Sequence, residues 1–400
     1  MRIDPKVLKE SLRKVITRTM LLNAYYDARR HKRNTESQLL FEVDLNKNLD
    51  KLYQELISGK YSISKSICFI VTRPKPREVF AANFRDRIVH HLIMQFLLPK
   101  FENLFIKNSF SCIKNRGTIC GALKLKQALL RNPGGYVFKF DIKGFFMSID
   151  KSNLNNKLQE LIREEFKNDS KELRNVLSHL VELIVLHHPE ENCEKHGDIG
   201  MWKLIPKHKS LFTVPKHLGL AIGNLTSQLF ANYYLHRFDL FMFSKFGYNY
   251  GRYVDDFFVV CKNKEEVLSI IPEMEKILLE DGLVLHPDKR YSQPVHHGCK
   301  FIGVVIKGSR TYIGNGTRNN MINKLYHFNS LVPSTIETDL VNFLRTMNSY
   351  LGFMRYKKTY NIRKDLIFSI NPAWWNYFEV TRDFTKIYFK NEYKYLNKLD

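Results

Sequence analysis

The sequence predicts an α+β fold, and three observations carry that expectation. Short runs rich in β-branched and aromatic residues, at 66–71, 136–141 and on both flanks of Asp255-Asp256, read as strands. Longer stretches between them repeat apolar residues at helical spacing. The clearest is 86–104, with Ile88, Val89, Leu92, Ile93, Phe96 and Leu97 on one face. No internal repeat and no low-complexity linker interrupts the chain, so the elements belong to one multi-lobed unit.

Bulk properties bound the partners. The 400 residues suffice for a substantial core and two or three subdomains, and 44% hydrophobic with 13% aromatic residues describe an ordered, globular chain. Lys and Arg number 63 against 40 Asp and Glu, a net charge of +23 that favours a polyanionic partner, nucleic acid first. No apolar run approaches the ~20 residues of a membrane span, and the opening Met-Arg-Ile-Asp-Pro begins no secretory signal. A cytoplasmic location without membrane partners is expected. The six cysteines are scattered without a C-x-x-C pair, which suits a reducing compartment. His187, His188, Cys193 and His196 match no zinc-ligand spacing and read as a polar connector.

Along the chain, residues 5–30 read helical and basic. Arg29, Arg30, Lys32 and Arg33 follow Tyr25 and Tyr26, a pattern that suits an RNA backbone with stacked bases and equally describes a solvated helix end. A helical stretch at 36–58 precedes the strand at 66–71. Pro74 and Pro76 then impose an extended or turning segment that carries Lys75 and Arg77. Two helices fill 151–187, split at Asn168-Asp169-Ser170, where Asp169 or Ser170 can cap the second. A basic linker, 203–209, leads to a further helix from Gly223. Beyond the acidic pair come a helix near 264–280, short strands around 283–286 and 300–306, and a turn at Gly314-Asn315-Gly316. From about 318 the pattern is helical, basic and aromatic to the end.

The chemistry centres on acids. Adjacent carboxylates at Asp255 and Asp256 repel unless a cation neutralises them, and a rigid hairpin makes them a platform for a hard divalent ion such as Mg²⁺. Asp141 ends its own strand, a helical insert follows, and the Asp-Asp hairpin comes after, the order found in polymerase palms. Two-metal phosphoryl transfer needs at least two carboxylates to hold both ions. Asp141 and Asp255 are the candidate bridging ligands, the carbonyl of Ile142 a further ligand, and Asp256 an electrostatic helper.

Five segments occur in order: Pro74-Lys75-Pro76-Arg77, Phe84-Arg85-Asp86-Arg87-Ile88, Phe140-Asp141-Ile142-Lys143-Gly144-Phe145-Phe146, Gly219-Leu220-Ala221-Ile222-Gly223-Asn224 with Thr226-Ser227-Gln228, and Tyr253-Val254-Asp255-Asp256. Gly282-Leu283-Val284-Leu285 with Lys289, then Phe301-Ile302-Gly303, follow. Together they resemble the motifs of prokaryotic reverse transcriptases, the broad group of group II intron, retron, diversity-generating and defence-associated enzymes.

The resemblance implies a right-hand polymerase. Residues 1–135 would form N-terminal helices and fingers, 136–312 a palm with a helical insert at 151–218, and 313–400 a helical thumb with a basic aromatic extension. It implies an RNA-directed DNA polymerase using two Mg²⁺ ions, with Mn²⁺ as substitute. Arg77 and Lys75 would grip the incoming triphosphate, and Phe146 would exclude a ribose 2′-hydroxyl, though it also reads as a core aromatic. Ile222 and Gly223 would line the nucleotide, and Lys289 would donate a proton to pyrophosphate. Arg85, Phe301 and Gly303 join the basic N-terminal residues as nucleic-acid contacts.

One departure stands out. Many relatives carry Pro-Gln-Gly where this chain has Ala221-Ile222-Gly223, a change that accompanies error-prone copying in diversity-generating enzymes. The expected template is a dedicated non-coding RNA, copied for targeted mutagenesis or phage defence, with cDNA as product and an accessory protein or second polymerase subunit as a further partner. No endonuclease, RNase H or integrase pattern follows the thumb, which argues against mobile-intron service. The competing reading is a maturase-like RNA-binding protein with a structural palm.

Overall fold

The computed structural model describes residues 3–30, 35–72, 75–331, 337–355 and 357–398. In chain order it contains α1 (Pro5–Val15), α2 (Arg18–Arg29), α3 (Glu36–Val43), α4 (Leu45–Ser58), β1 (Ser66–Val71), β2 (Arg77–Ala81), α5 (Phe84–Leu104), α6 (Thr118–Arg131) and β3 (Tyr136–Asp141). Next come α7 (Phe145–Ser148), α8 (Lys151–Glu165), α9 (Lys171–Val185), β4 (Cys193–His196), α10 (Leu225–Tyr234), α11 (His236–Phe246), β5 (Tyr250–Tyr253) and β6 (Asp256–Cys261). The remainder is α12 (Glu265–Leu268), α13 (Ile271–Glu280), β7 (Tyr291–Pro294), β8 (Cys299–Phe301), β9 (Val304–Lys307), β10 (Arg310–Ile313), α14 (Asn315–Ser330), α15 (Glu337–Met354), α16 (Tyr360–Phe368), β11 (Phe378–Val380) and β12 (Ile387–Phe389). Among the described residues no helix is long and apolar enough to cross a membrane.

The chain forms two compact units. The first comprises Met1–Gly117, Lys139–Val259 and Glu265–Tyr291. Its longest helix, α5, buries Ile88, Val89, Leu92, Ile93, Leu97 and Phe101, with Phe96 half-buried. Asp86 on that helix is fully buried yet satisfied, accepting from the Tyr61 hydroxyl at 2.8 Å and the Ser64 N–H at 3.0 Å. The stretches read as one helix at 5–30 and at 36–58 are each broken in two. Thr17 caps the start of α2 by accepting from the Met20 N–H, a local bond that competes with helix continuation.

In the insert, Asp150 caps α8 and Ser170 caps α9, accepting from Asn153 and Leu173 N–H groups at 2.8 and 3.1 Å. The polar connector after α9 becomes a strand: β4 pairs in parallel with β1 from Ser66↔Cys193 to Phe69↔His196, while β2 pairs antiparallel on the other edge. His188 Nδ1 lies 2.9 Å from Glu190 Oε1, and His196 Nε2 lies 3.0 Å from Glu194 Oε1, so both rings have protein partners.

The four-stranded sheet has the order β5-β6-β3-β7. Residues 283–286, expected as a strand, make only an isolated bridge, Ile142↔Leu285. Two short contacts account for it: Lys143 N–H to Val284 O at 2.9 Å and His286 N–H to Asp141 O at 2.8 Å.

The second unit comprises Thr118–Phe138, Val260–Lys264 and Ser292–Asp400. Its core is aromatic: Trp374 stacks on Phe343 with centroids 4.2 Å apart, and Trp374 Nε1 donates to Phe328 O at 3.2 Å. Two expectations fail here. Gly314 does not sit in a turn but precedes α14 as its cap, its N–H bonded to Gly303 O at 2.9 Å. The C-terminal part is not helical throughout, because β11 and β12 form a hairpin whose Phe378 and Phe389 pair across the strands. Asn348 secures it, donating to and accepting from the Ile387 backbone at 2.7 and 2.8 Å.

Candidate active site

The acidic hairpin is tighter than a generic polar turn. Tyr253 pairs with Asp256, so only Val254 and Asp255 form the loop and Asp256 opens β6. Val254 has φ +59°, a left-handed backbone that is costly for a β-branched residue. One strand back, a Cβ on Gly251 would lie 2.6 Å from Phe258 Cζ and 2.8 Å from Phe110 Cε2, so only glycine fits there.

A buried network holds the loop. Arg252 is fully buried and donates through Nη1 to the Val254 carbonyl at 2.8 Å and to Asn232 Oδ1 at 3.1 Å. Its Nε and Nη2 meet the buried Asp239 carboxylate at 2.7 and 2.5 Å, and the Tyr250 hydroxyl donates to the same carboxylate at 2.6 Å. The bidentate geometry fixes the guanidinium plane. Sequence reading misses this pair: Arg252 immediately precedes the Tyr253-Val254-Asp255-Asp256 motif, and nothing marks Asp239 on α11 as its partner.

Asp141 reaches the same place from β3. The Ile142 N–H donates to Asp255 O at 3.3 Å, stitching the strand end to the turn, and Phe140 stacks on Phe257 with centroids 5.1 Å apart. The electrostatics confirm the convergence. Burial and then the charges of Asp141 and Asp256 push the Asp255 carboxyl up to about 6. Burial also raises Asp256, against the pull of Lys139, with Asp141 adding to the rise and Lys289 and Lys75 opposing it. Arg77 draws Asp255 back down. The structure thus brings Asp141, Asp255 and Asp256 together, with Lys75, Arg77 and Lys289 within electrostatic reach. Lys289 pairs with Asp141, its Nζ 2.7 Å from Oδ2.

Gly223 sits at φ +128°, and a Cβ there would come within 2.9 Å of Phe80 O and of Val79 Cγ1. The Ile222 carbonyl accepts from the Phe80 N–H at 2.8 Å, which ties this loop to the strand that carries Arg77. Phe146 is half-buried and packs with Ile222 against a small core of Cys68, Phe80, Met147 and Leu211.

Several of the expected nucleic-acid contacts hold acidic partners. Arg29 is paired with Glu42 at 2.6 Å, Arg30 with Asp27 at 2.9 Å, and Arg85 with Glu55. Lys32 and Arg33 lie outside the described residues, as does Pro74. In the second unit the ring of Phe301 is buried, while Gly303 turns the chain at φ +77°.

A sequence model described as reverse transcriptase (RNA-dependent DNA polymerase) matches residues 72–306, more than half of the chain and all three acids. The chain belongs to the reverse transcriptase family. No curated protein sequence matches it. Solved structures similar to this reverse transcriptase include apo telomerase from Candida tropicalis, at TM-score 0.47 and 12% identity, covering 77% of this chain and 55% of that one. The same telomerase truncated from its C-terminal domain matches at TM-score 0.43 and 15% identity, covering 63% and 55%. Telomerase from Candida albicans with a fragment of telomeric RNA matches at 0.40 and 12%, covering 83% and 63%. The chain therefore spans less than two thirds of each of these proteins.

Reverse transcriptases use divalent metal ions, and the residues here fit such a group. The donors are hard carboxylate oxygens, and Asp255 is raised first by burial and then by the negative charges of Asp141 and Asp256. Among the described residues no three side chains of ligating type close into a cage.

Proposed function

We propose that the chain is an RNA-directed DNA polymerase that copies a dedicated non-coding RNA into cDNA, with its chemistry at Asp141, Asp255 and Asp256. The observation that carries this reading is the convergence of these acids from two different strand ends, with Lys289, Lys75 and Arg77 around them.

Asp141 and Asp255, with the Ile142 carbonyl, would hold two Mg²⁺ ions, or Mn²⁺ in their place, and Asp256 would support them electrostatically. When bound, the ions supply charge neutralisation at the phosphates and a lowered pKa for the attacking 3′-hydroxyl. The new bond joins that oxygen to the α-phosphorus of the dNTP while the bond to the β-phosphate breaks. Arg77 and Lys75 grip the triphosphate through charge-assisted bonds. Lys289 leaves Asp141 and gives its proton to the departing pyrophosphate. In this reading Phe146 excludes a ribose 2′-hydroxyl, and Gly223 lets the backbone come close to the new base pair. Ile222 replaces a polar contact with an apolar one and relaxes base selection.

The motif around Ala221-Ile222-Gly223 supports a specialised prokaryotic role, in diversity generation or phage defence, with an accessory protein or second subunit as partner. A template repeat with a variable target gene beside this gene supports the first, and an isolated RNA-plus-polymerase cassette the second.

The test is primer extension on a defined RNA template with dNTPs and Mg²⁺ or Mn²⁺, comparing wild type with Asp255→Asn. Extension by wild type alone is expected. Equal extension by both proteins overturns the assignment.

A further inference from the structure

The basic linker at 203–209 has no role in the chemistry above, yet the fold sets it against the proposed nucleotide pocket. It forms two short 3-10 turns, Ile199–Leu204 and Lys207–Lys209, whose Lys203, Lys207, His208 and Lys209 are all exposed. The backbone beneath is pinned. Ser210 Oγ donates to Glu78 Oε1 at 2.5 Å, and the Leu211 N–H donates to Glu78 Oε2 at 3.0 Å. Glu78 is buried and directly follows Arg77 on β2. A Cβ on Gly144, three residues past Asp141, would lie 3.9 Å from the His208 carbonyl. Trp202 and Phe212, at the two ends of the segment, pack against the same small core as Phe146 and Ile222. Lys195 covers both rings, its Nζ 5.2 and 4.0 Å from their centroids.

Three lysines on a pinned segment repel one another without a counter-charge. Among the described residues no ion pair involves Lys203, Lys207 or Lys209, and Asp198, the acid closest to them in sequence, caps the first turn by accepting from the Gly200 N–H at 2.8 Å. The cations that act on Asp255 and Asp256 are Arg77, Lys139, Lys289 and Lys75, none of them from this segment. The segment borders the pocket through the approach of the His208 carbonyl to Gly144 and through the core it shares with Phe146 and Ile222. A charged row of that kind matches a strand's successive phosphodiesters better than a single triphosphate.

We propose that Lys203, Lys207 and Lys209 bind the phosphodiester backbone of the single-stranded template RNA as it approaches the nucleotide pocket. The inference rests on the polymerase reading above and adds to it the surface that guides the template.

The experiment measures binding of a primer annealed to RNA templates with 5′ overhangs of increasing length, by fluorescence anisotropy across a salt series. Wild type is compared with K203Q/K207Q/K209Q, and thermal melting confirms that both are folded. Each lost phosphate contact lowers the slope of log affinity against log salt by about 0.7 for a single strand, so the triple variant should lose about 2. Its deficit should grow with overhang length and vanish on a blunt-ended template, with KM for dNTP unchanged. An unchanged slope, a deficit that persists on the blunt template, or a raised KM for dNTP with normal template affinity would each overturn the proposal. Failure of wild type to extend any primer strikes the polymerase reading instead, because template binding is read separately.

Discussion

Arg252 donates a hydrogen bond to the Val254 carbonyl at 2.8 Å, while its other face is locked to Asp239. The fully buried guanidinium thus holds a β-branched residue at φ +59° next to Asp255. Strain of this kind costs on the order of 1–3 kcal/mol and persists only where the surroundings over-determine it. Arg252 is a positioning residue.

The clamp makes a rescue prediction. Removing one partner of a buried pair strands the other charge, at a cost of about 3–5 kcal/mol, so the pair should be neutralised together. Arg252→Gln/Asp239→Asn should remain folded and lose at least about tenfold in kcat, with KM for dNTP little changed. Adding Val254→Gly, which adopts positive φ without strain, should restore much of the kcat. A merely structural role for Arg252 predicts no such rescue in steady-state kinetics.

The second prediction concerns pH and stability. Asp255 has a folded pKa of about 6 against an ordinary 3.8, so the metal-free folded state binds this proton more tightly than the unfolded chain. The contribution to stability therefore falls as pH rises from about 4 to about 6, and above that range the ionised carboxylate is a net cost. At 1.36 kcal/mol per unit the shift is worth up to roughly 3 kcal/mol. In EDTA at pH 7.5, Asp255→Asn should melt higher than wild type, and the gap should close as pH falls towards 4. Differential scanning calorimetry reads this directly. A variant less stable than wild type at pH 7.5 would refute a net cost of the ionised Asp255.

These two predictions also mark what was legible in the sequence. Asp141 and Asp255-Asp256 stood out because apolar strand residues on either side leave a carboxylate no local reason to be there. Ser170 was readable as a cap because that bond spans only three residues. The Arg252–Asp239 pair was not readable, since it joins a strand to a helix face only after α11 packs. The same holds for β4, a short strand with two charged residues and a histidine that exists because β1 offers an open edge. The β11–β12 hairpin was hidden by its length, three residues a side, too short for alternation to outweigh the surrounding helical pattern.

Lys289 should act in two opposite ways. Its ammonium offsets Asp141, with a 2.7 Å contact, and in the proposed mechanism it also protonates the leaving group. Lys289→Ala should therefore lower kcat by about 10²-fold or more, the range of a lost general acid. The same variant should need less Mg²⁺ for half-maximal activity, because a competing cation is gone from Asp141. Metal titrations of initial rate separate the two effects. A higher Mg²⁺ requirement would contradict the Asp141 contact as the resting arrangement.

The pocket residues predict substrate errors of two kinds. Phe146→Val should raise incorporation of rNTPs relative to dNTPs by at least about tenfold, since even one methylene in a pocket is worth about 1–3 kcal/mol of discrimination. Ile222→Gln should narrow the misincorporation spectrum on a defined RNA template while leaving sugar choice unaltered. Sequencing of the products distinguishes sugar selection from base selection. An unchanged spectrum would remove Ile222 from base selection.

The most direct test of the central claim is single-turnover incorporation of one dNTP opposite a defined RNA template at saturating Mg²⁺. Wild type, Asp141→Asn and Asp255→Asn are compared by rapid quench. The account predicts that either substitution slows the bond-forming step by about 10³-fold or more while the primer–template remains bound, the scale of a lost electrostatic anchor at a reacting centre. Incorporation at the wild-type rate by either variant would contradict it.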